Sequence, residues 1–186
     1  MSTLWIIVAI VAVLALFTVY AFNKLRRTDI SAQEALGGID VQLTRRADLI
    51  PNLVNTVKGY AQHEKGVFEA VTEARAGVAK AAKDGSPADK AAADAKLSKA
   101  IIDVLAVAEA YPELQASANF QSLQTELAET ENKLSFARQF YNDAVAKLNG
   151  LVKTIPWLFF TGIAGVSARE FYDAPEGQAA PPTVTF

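Results

Sequence analysis

The chain has 186 residues, with 18 Lys plus Arg against 20 Asp plus Glu, no cysteine and one histidine. The lack of cysteine excludes disulfides, thiolate metal sites and cysteine nucleophiles, and His63 alone builds neither a zinc site nor a Ser-His-Asp triad. Near-balanced charge leaves no electrostatic footprint for nucleic acid. No glycine-rich phosphate loop, HExxH motif or metal-ligand cluster occurs, so no catalytic residue is assigned and no cofactor or metal is expected.

Residues Leu4–Phe22 form one uncharged apolar run, about as long as a single bilayer-spanning helix requires. Trp5 and Tyr20 lie near its ends, where amphipathic rings favour the interface. Lys24, Arg26 and Arg27 follow at once, and a basic flank on one side only predicts an outside N-terminus and a cytoplasmic remainder. A cleaved signal peptide is the alternative. The flank Met1–Thr3 has no basic side chain and no clear A-x-A site follows, which favours a retained anchor over residues 1–23. Outside the anchor, Ala, Leu, Lys, Glu and Gln dominate and β-branched runs are absent, so residues 24–172 read as an all-α domain.

Residues 24 to about 82 read as one long helix. A 3-4 spacing runs through Ala32, Leu36, Ile39, Leu43, Arg46, Ile50, Leu53, Val57, Tyr60, Glu64, Val67, Val71, Ala74 and Val78, the seam of a helix packed lengthwise against others. Gly37-Gly38 weakens it, and Pro51 predicts a kink near Ala47–Ile50, with Asp48 able to cap a restarted helix. Arg46 and Glu64 are charged intruders in the seam. Either both snorkel at its edge, the favoured reading, or each meets an opposite charge and fixes register.

Residues 83–87 form a turn in which Ser86 caps a second helix, about 88–110, with Pro87 in its first position. Its alanine-rich first half reads as an exposed end rather than a close helix contact. Leu97, Ile101, Val104 and Ala108 supply its seam, and Tyr111-Pro112 ends it. A third helix, about Ser117–Thr154, carries the cleanest seam, from Phe120 through Leu127, Leu134, Tyr141 and Leu148 to Ile155. The segment 157–172 opens with an apolar stretch too short to span a bilayer. It covers an end of the bundle, lies in the membrane interface or packs on another protomer. Three helices leaving the membrane would put its start at the distal end, which disfavours lipid unless the first helix breaks and turns back. Trp157, Phe159 and Phe160 are accordingly oligomer-contact candidates. Residues 173–186 are Pro- and Gly-rich and read as an extended tail.

Taken together, Arg45-Arg46-Ala47-Asp48-Leu49-Ile50-Pro51-Asn52-Leu53-Val54, Tyr111-Pro112-Glu113-Leu114, Glu131-Asn132 and Ala137-Arg138-Gln139-Phe140-Tyr141-Asn142-Asp143 resemble the LemA family. The resemblance implies a single-pass protein of the bacterial inner membrane with a cytoplasmic antiparallel helical bundle, no established enzymatic activity and a part in membrane organisation. It marks Arg45, Arg46, Asp48, Pro51, Asn52, Tyr111, Pro112, Glu131, Asn132, Arg138, Tyr141 and Asn142 as structural or partner-binding candidates. Family members usually carry a larger residue near Gly37-Gly38, so a hinge or a close helix contact is expected there. Physically, Arg45, Asp48, Asn52 and Asn55 cluster by sequence around Pro51, where they could satisfy backbone freed by the proline or form a binding notch.

Two functions follow as expectations. The leading one is a membrane-anchored scaffold, a homo-oligomer held by its seams and aromatic C-terminal segment. The alternative is a monomeric adaptor that recruits a membrane-protein partner, such as a membrane protease, through the notch near Pro51.

Overall fold

The computed structural model describes residues 2–172, and the extended tail expected for 173–186 lies outside them. All regular structure among the described residues is helical: α1 (Ser2–Lys58), α2 (Lys65–Asp84), α3 (Pro87–Glu109), α4 (Pro112–Gln115), α5 (Ala118–Lys153) and α6 (Thr161–Ala164), with a 3₁₀ turn at Trp157–Phe160. Two compact units are formed. Among the described residues, one joins residues 2–35 to Phe140–Glu170, and the other joins Leu36–Gln139 to residues 171–172.

The first long helix is shorter than its sequence spacing suggests. α1 runs unbroken through Gly37-Gly38 and Pro51, so Asp48 caps nothing. The break comes at residues 59–64, where Gly59 lowers helix propensity by about 1 kcal/mol relative to alanine. Both Tyr60 and Ala61 donate their backbone N–H to the Val57 carbonyl, a tightened last turn of the kind that ends helices. Tyr60 and Glu64 therefore leave the seam and are exposed. The chain then reverses. Lys58 lies 5.4 Å from the Phe68 ring centroid, and Arg75 reaches back to Ala47, so α2 runs antiparallel to α1 within its unit.

α3 begins where the turn chemistry places it. The Ser86 hydroxyl accepts from the Asp89 N–H, and the Asp89 carboxylate accepts from the Ser86 N–H, a reciprocal capping box with Pro87 in the first turn. These bonds to Ser86 hold the Asp89 carboxyl below its ordinary value. Gly85 before it tolerates no side chain, since a Cβ there would lie 2.6 Å from the Ala81 carbonyl oxygen. The alanine-rich first half of α3 is not the exposed end expected of it: Lys90, Ala91 and Asp94 are buried, and small side chains let α2 and α3 approach.

In the unit built on residues 36–139, the core gathers Ile39, Leu43, Ile50, Leu53 and Val57 of α1, Val71 and Val78 of α2, Leu97 and Val104 of α3, and Phe120 and Leu134 of α5. These are the 3-4 positions of the sequence, each removing an apolar side chain from water at roughly 1.5–3 kcal/mol. A Cβ at Gly37 or Gly38 would meet nothing within 4 Å, so no close helix contact explains that pair.

In the other unit, the apolar N-terminal run is long enough to cross a membrane, and only 6% of its most apolar window is buried. A core helix of a water-soluble protein would be mostly covered. Ala21 and Leu25 begin the packed part of this unit, which Tyr141, Val145 and Leu148 of α5 complete. The segment after α5 lies beside Phe17 and Tyr20 rather than far from the apolar run: Trp157 is 6.4 Å from Phe17 and 5.7 Å from Tyr20, centroid to centroid. The distal placement expected from three helices is thus overturned. The reversal at residues 59–64 adds a long helix to the three expected, so the count on which that placement rested does not hold.

Candidate functional site

The polar centre of the larger unit grows from charges set on apolar seams. Arg46 occupies the seam of α1 between Leu43 and Ile50. On α3 the seam Ala108, Val104, Ile101, Leu97 continues backward at the same 4-3 spacing to Asp94 and Lys90. Charged side chains at these positions face inward and must find partners, because an unpaired buried charge costs several kcal/mol.

They do. One Arg46 guanidinium nitrogen lies 2.8 Å from Asp94 Oδ1 and 2.8 Å from Glu131 Oε2, and it donates to Ser98 Oγ at 2.9 Å. Arg138 of α5 donates to the second Asp94 oxygen and lies 3.6 Å from Glu131. Its guanidinium carbon is 5.7 Å from the Tyr172 ring centroid, a cation–π distance. Two arginines and two carboxylates thus close into a neutral quartet joining α1, α3 and α5. Beside it, Lys90 Nζ donates to Asp40 Oδ1 and to the Ala82 carbonyl. Burial pushes the Asp94 carboxyl above its ordinary value, opposed by the charges of Arg138 and Arg46. Burial also pushes the Tyr172 phenol up, with the Asp94 carboxylate adding to it.

A second constellation surrounds Pro51. Proline has no N–H, so the Ala47 carbonyl four residues back loses its helical donor. Arg75 Nε on α2 donates to that carbonyl at 2.9 Å. The polar satisfaction expected at the proline is present, but its source is the facing helix. Arg45, Asp48, Asn52 and Asn55 are exposed and take no part in it.

The smaller unit has its own polar clasp. The Tyr141 hydroxyl donates to the Glu170 carbonyl at 2.8 Å, and burial pushes this phenol above its ordinary value. Asn149 exchanges two hydrogen bonds with the Arg169 backbone, while Arg169 Nε donates to Asp29 Oδ1 at 2.7 Å.

Of the sequence candidates, Arg46, Glu131 and Arg138 come together in the quartet and Tyr141 in the clasp. Glu64, the second seam charge, is exposed and joins no quartet. Tyr111 and Pro112 start α4, Asn132 is exposed and Asn142 half-buried. Trp157 and Phe160 pack on Phe17, whereas Phe159 is exposed. Trp5, Tyr20, Phe22, Lys24, Arg26 and Arg27 are all exposed along α1, as is Leu4. Asp94, Ser98, Lys90, Asp40 and Arg75 were not among the candidates. The α3 seam, followed past its last apolar residue, points to Asp94 and Lys90. Among the described residues no group of three or more His, Cys, Asp or Glu is placed to hold a metal ion. The quartet spends its charges on one another, a geometry that fastens helices and offers no nucleophile beside a base.

The LemA family model matches residues 35–186. Magnetosome protein MamQ of Magnetospirillum gryphiswaldense is 25% identical over 171 residues, covering 78% of this chain and 62% of the relative. Magnetosome proteins MamQ 1 and MamQ 2 of Paramagnetospirillum magneticum are each 25% identical over 163 residues, covering 74% of this chain and 60% of theirs. The chain therefore spans about three fifths of the length of these curated relatives. With its family match running from the middle of α1 onward, this chain belongs to the LemA family.

Proposed function

We propose that the protein is a non-enzymatic, single-pass membrane scaffold that associates with further copies of itself. The apolar run of α1 is the anchor, and Lys24, Arg26 and Arg27 hold the following domain on the cytoplasmic side of a bacterial inner membrane. Uncovered seams do not motivate self-association, because most seam residues of α1 and α5 are buried. The observation that carries it is on α5: Phe136 and Phe140, one turn apart and outside the buried seam, are 72% and 63% exposed. Aromatic surface of this kind is typical of contact sites, and anchors sharing one membrane raise the effective concentration for such a contact.

The native mass of the full-length chain in mild detergent tests this. A discrete oligomer is expected, falling to monomer in the double variant Phe136→Ser/Phe140→Ser with helicity unchanged. A monodisperse wild-type monomer at micromolar concentration overturns the scaffold. It would favour the adaptor, whose surface would then be the exposed Arg45, Asp48 and Asn52 face of α1.

A further inference from the structure

We propose that the segment Ile155–Ile163 inserts into the interfacial layer of the lipid bilayer beside α1, giving the protein a second, non-spanning attachment to the membrane. The proposal rests on the reading of α1 as a membrane anchor.

Depth carries the argument. Phe17 and Tyr20 belong to the apolar run and precede its first charge, Lys24. At 1.5 Å per residue, Phe17 lies roughly 10 Å along the helix from Lys24. Trp157 is 5.7 Å from Tyr20, and Phe160 is 5.6 Å from Phe17. The turn is therefore held at the level of the inner end of the span, about the depth at which interfacial apolar faces bury. The following chain fixes the other limit. Arg169 is paired to Asp29, nine residues beyond Tyr20, or roughly 13 Å along α1. The segment dips to the level of Phe17 and returns to the level of Asp29.

Its composition suits that position. No charged residue occurs between Lys153 and Arg169, and Ile155, Phe159 and Ile163 are 73%, 68% and 65% exposed. Such side chains gain by leaving water at this depth. Backbone polar groups would be costly there unless satisfied internally, and the turn meets part of that demand. Leu158 N–H bonds the Thr154 carbonyl at 2.9 Å, Val166 N–H bonds that of Thr161 at 3.1 Å, and the Thr161 hydroxyl donates to the Leu158 carbonyl at 2.9 Å. Gly165, in the left-handed region at φ 61°, turns the chain back toward Arg169. Lipid is the occupant favoured over a second copy because the exposed surface is continuous with the apolar run itself.

The chain contains two tryptophans, which makes the test direct. The full-length Trp5→Phe variant, in phosphatidylcholine–phosphatidylglycerol vesicles, leaves Trp157 as reporter; Trp157→Phe leaves Trp5. Lipids brominated at shallow or deep acyl positions then measure depth by quenching. The expected result is loss of most Trp157 emission with shallow bromines and less with deep ones, alongside a quenched Trp5. A quenched Trp5 with an unquenched Trp157 overturns the insertion and leaves the anchor standing. If neither is quenched, both fail. Because the chain has no native cysteine, Phe159→Cys adds a second readout. Disulfide dimers of this variant, together with an unquenched Trp157, would assign the surface to a second copy and overturn lipid insertion.

Discussion

Arg46→Ala is expected to destabilise the protein by about 3–5 kcal/mol, the cost of removing one partner from a buried ion pair. That is a large share of the roughly 5–15 kcal/mol that holds a typical domain folded. The substitution deletes the contacts to Asp94, Ser98 and Glu131 together and leaves a buried carboxylate facing Arg138 alone. It also removes one of the two positive charges that oppose the burial of Asp94, so its carboxyl rises further above the ordinary value. A carboxyl raised in the folded state loses stability as pH rises through its folded pKa and is relieved below the unfolded one. The deficit of the variant should therefore shrink as pH is lowered toward the ordinary carboxylate range. Denaturant unfolding of the full chain across pH measures both effects. A cost below about 1 kcal/mol, the range of exposed pairs, would show that the quartet is solvated. Replacing Arg46, Asp94, Glu131 and Arg138 together by apolar residues of similar volume should recover most of the loss, since what destabilises is the stranded charge.

The second large effect lies at Pro51. Arg75→Ala should cost about 1–3 kcal/mol, because the Ala47 carbonyl then has neither a helical donor nor a side-chain one. In a Pro51→Ala background, the restored N–H can reach the same carbonyl, and Arg75→Ala should cost clearly less. The sign of this coupling is the test. Additive losses in a double-mutant cycle would mean that Arg75 contributes only packing. Thermal melts followed by helical circular dichroism read the four corners of the cycle.

Much of the packing was legible because apolar spacing reports the buried face of a helix whatever its partner. Ile39 to Val57 and most seam residues from Phe120 to Leu148 are buried along the faces that their spacing defines. The same regularity concealed the break at residues 59–64. Tyr60 and Glu64 continue the 3-4 rhythm, and rhythm is silent on whether the backbone carries it. One reversal then removed the basis for the expected position of Trp157, since that expectation counted three long helices and held only if the first did not turn back. Asp94 and Lys90 escaped notice for a different reason. The apolar spacing of α3 stops where its residues become charged, yet the helix face continues, and Arg46 on α1 already signals that an inward face here carries charge. Arg75 had no local signal at all. Its role exists only once α2 folds back on α1, and only the missing N–H of Pro51 announces that some donor is needed.

The charge balance of the quartet bears on how the protein meets changes of ionic strength. Surface pairs such as Lys133–Glu129, at 3.6 Å and well exposed, are screened by dissolved ions and weaken as salt is added. The link between Arg46 and Asp94 is shielded by the helices around it, and its partners sum to zero net charge. Counterions have little field to gather around and little access to the pair. The protein thus holds the central fastening of this unit out of the reach of dissolved ions.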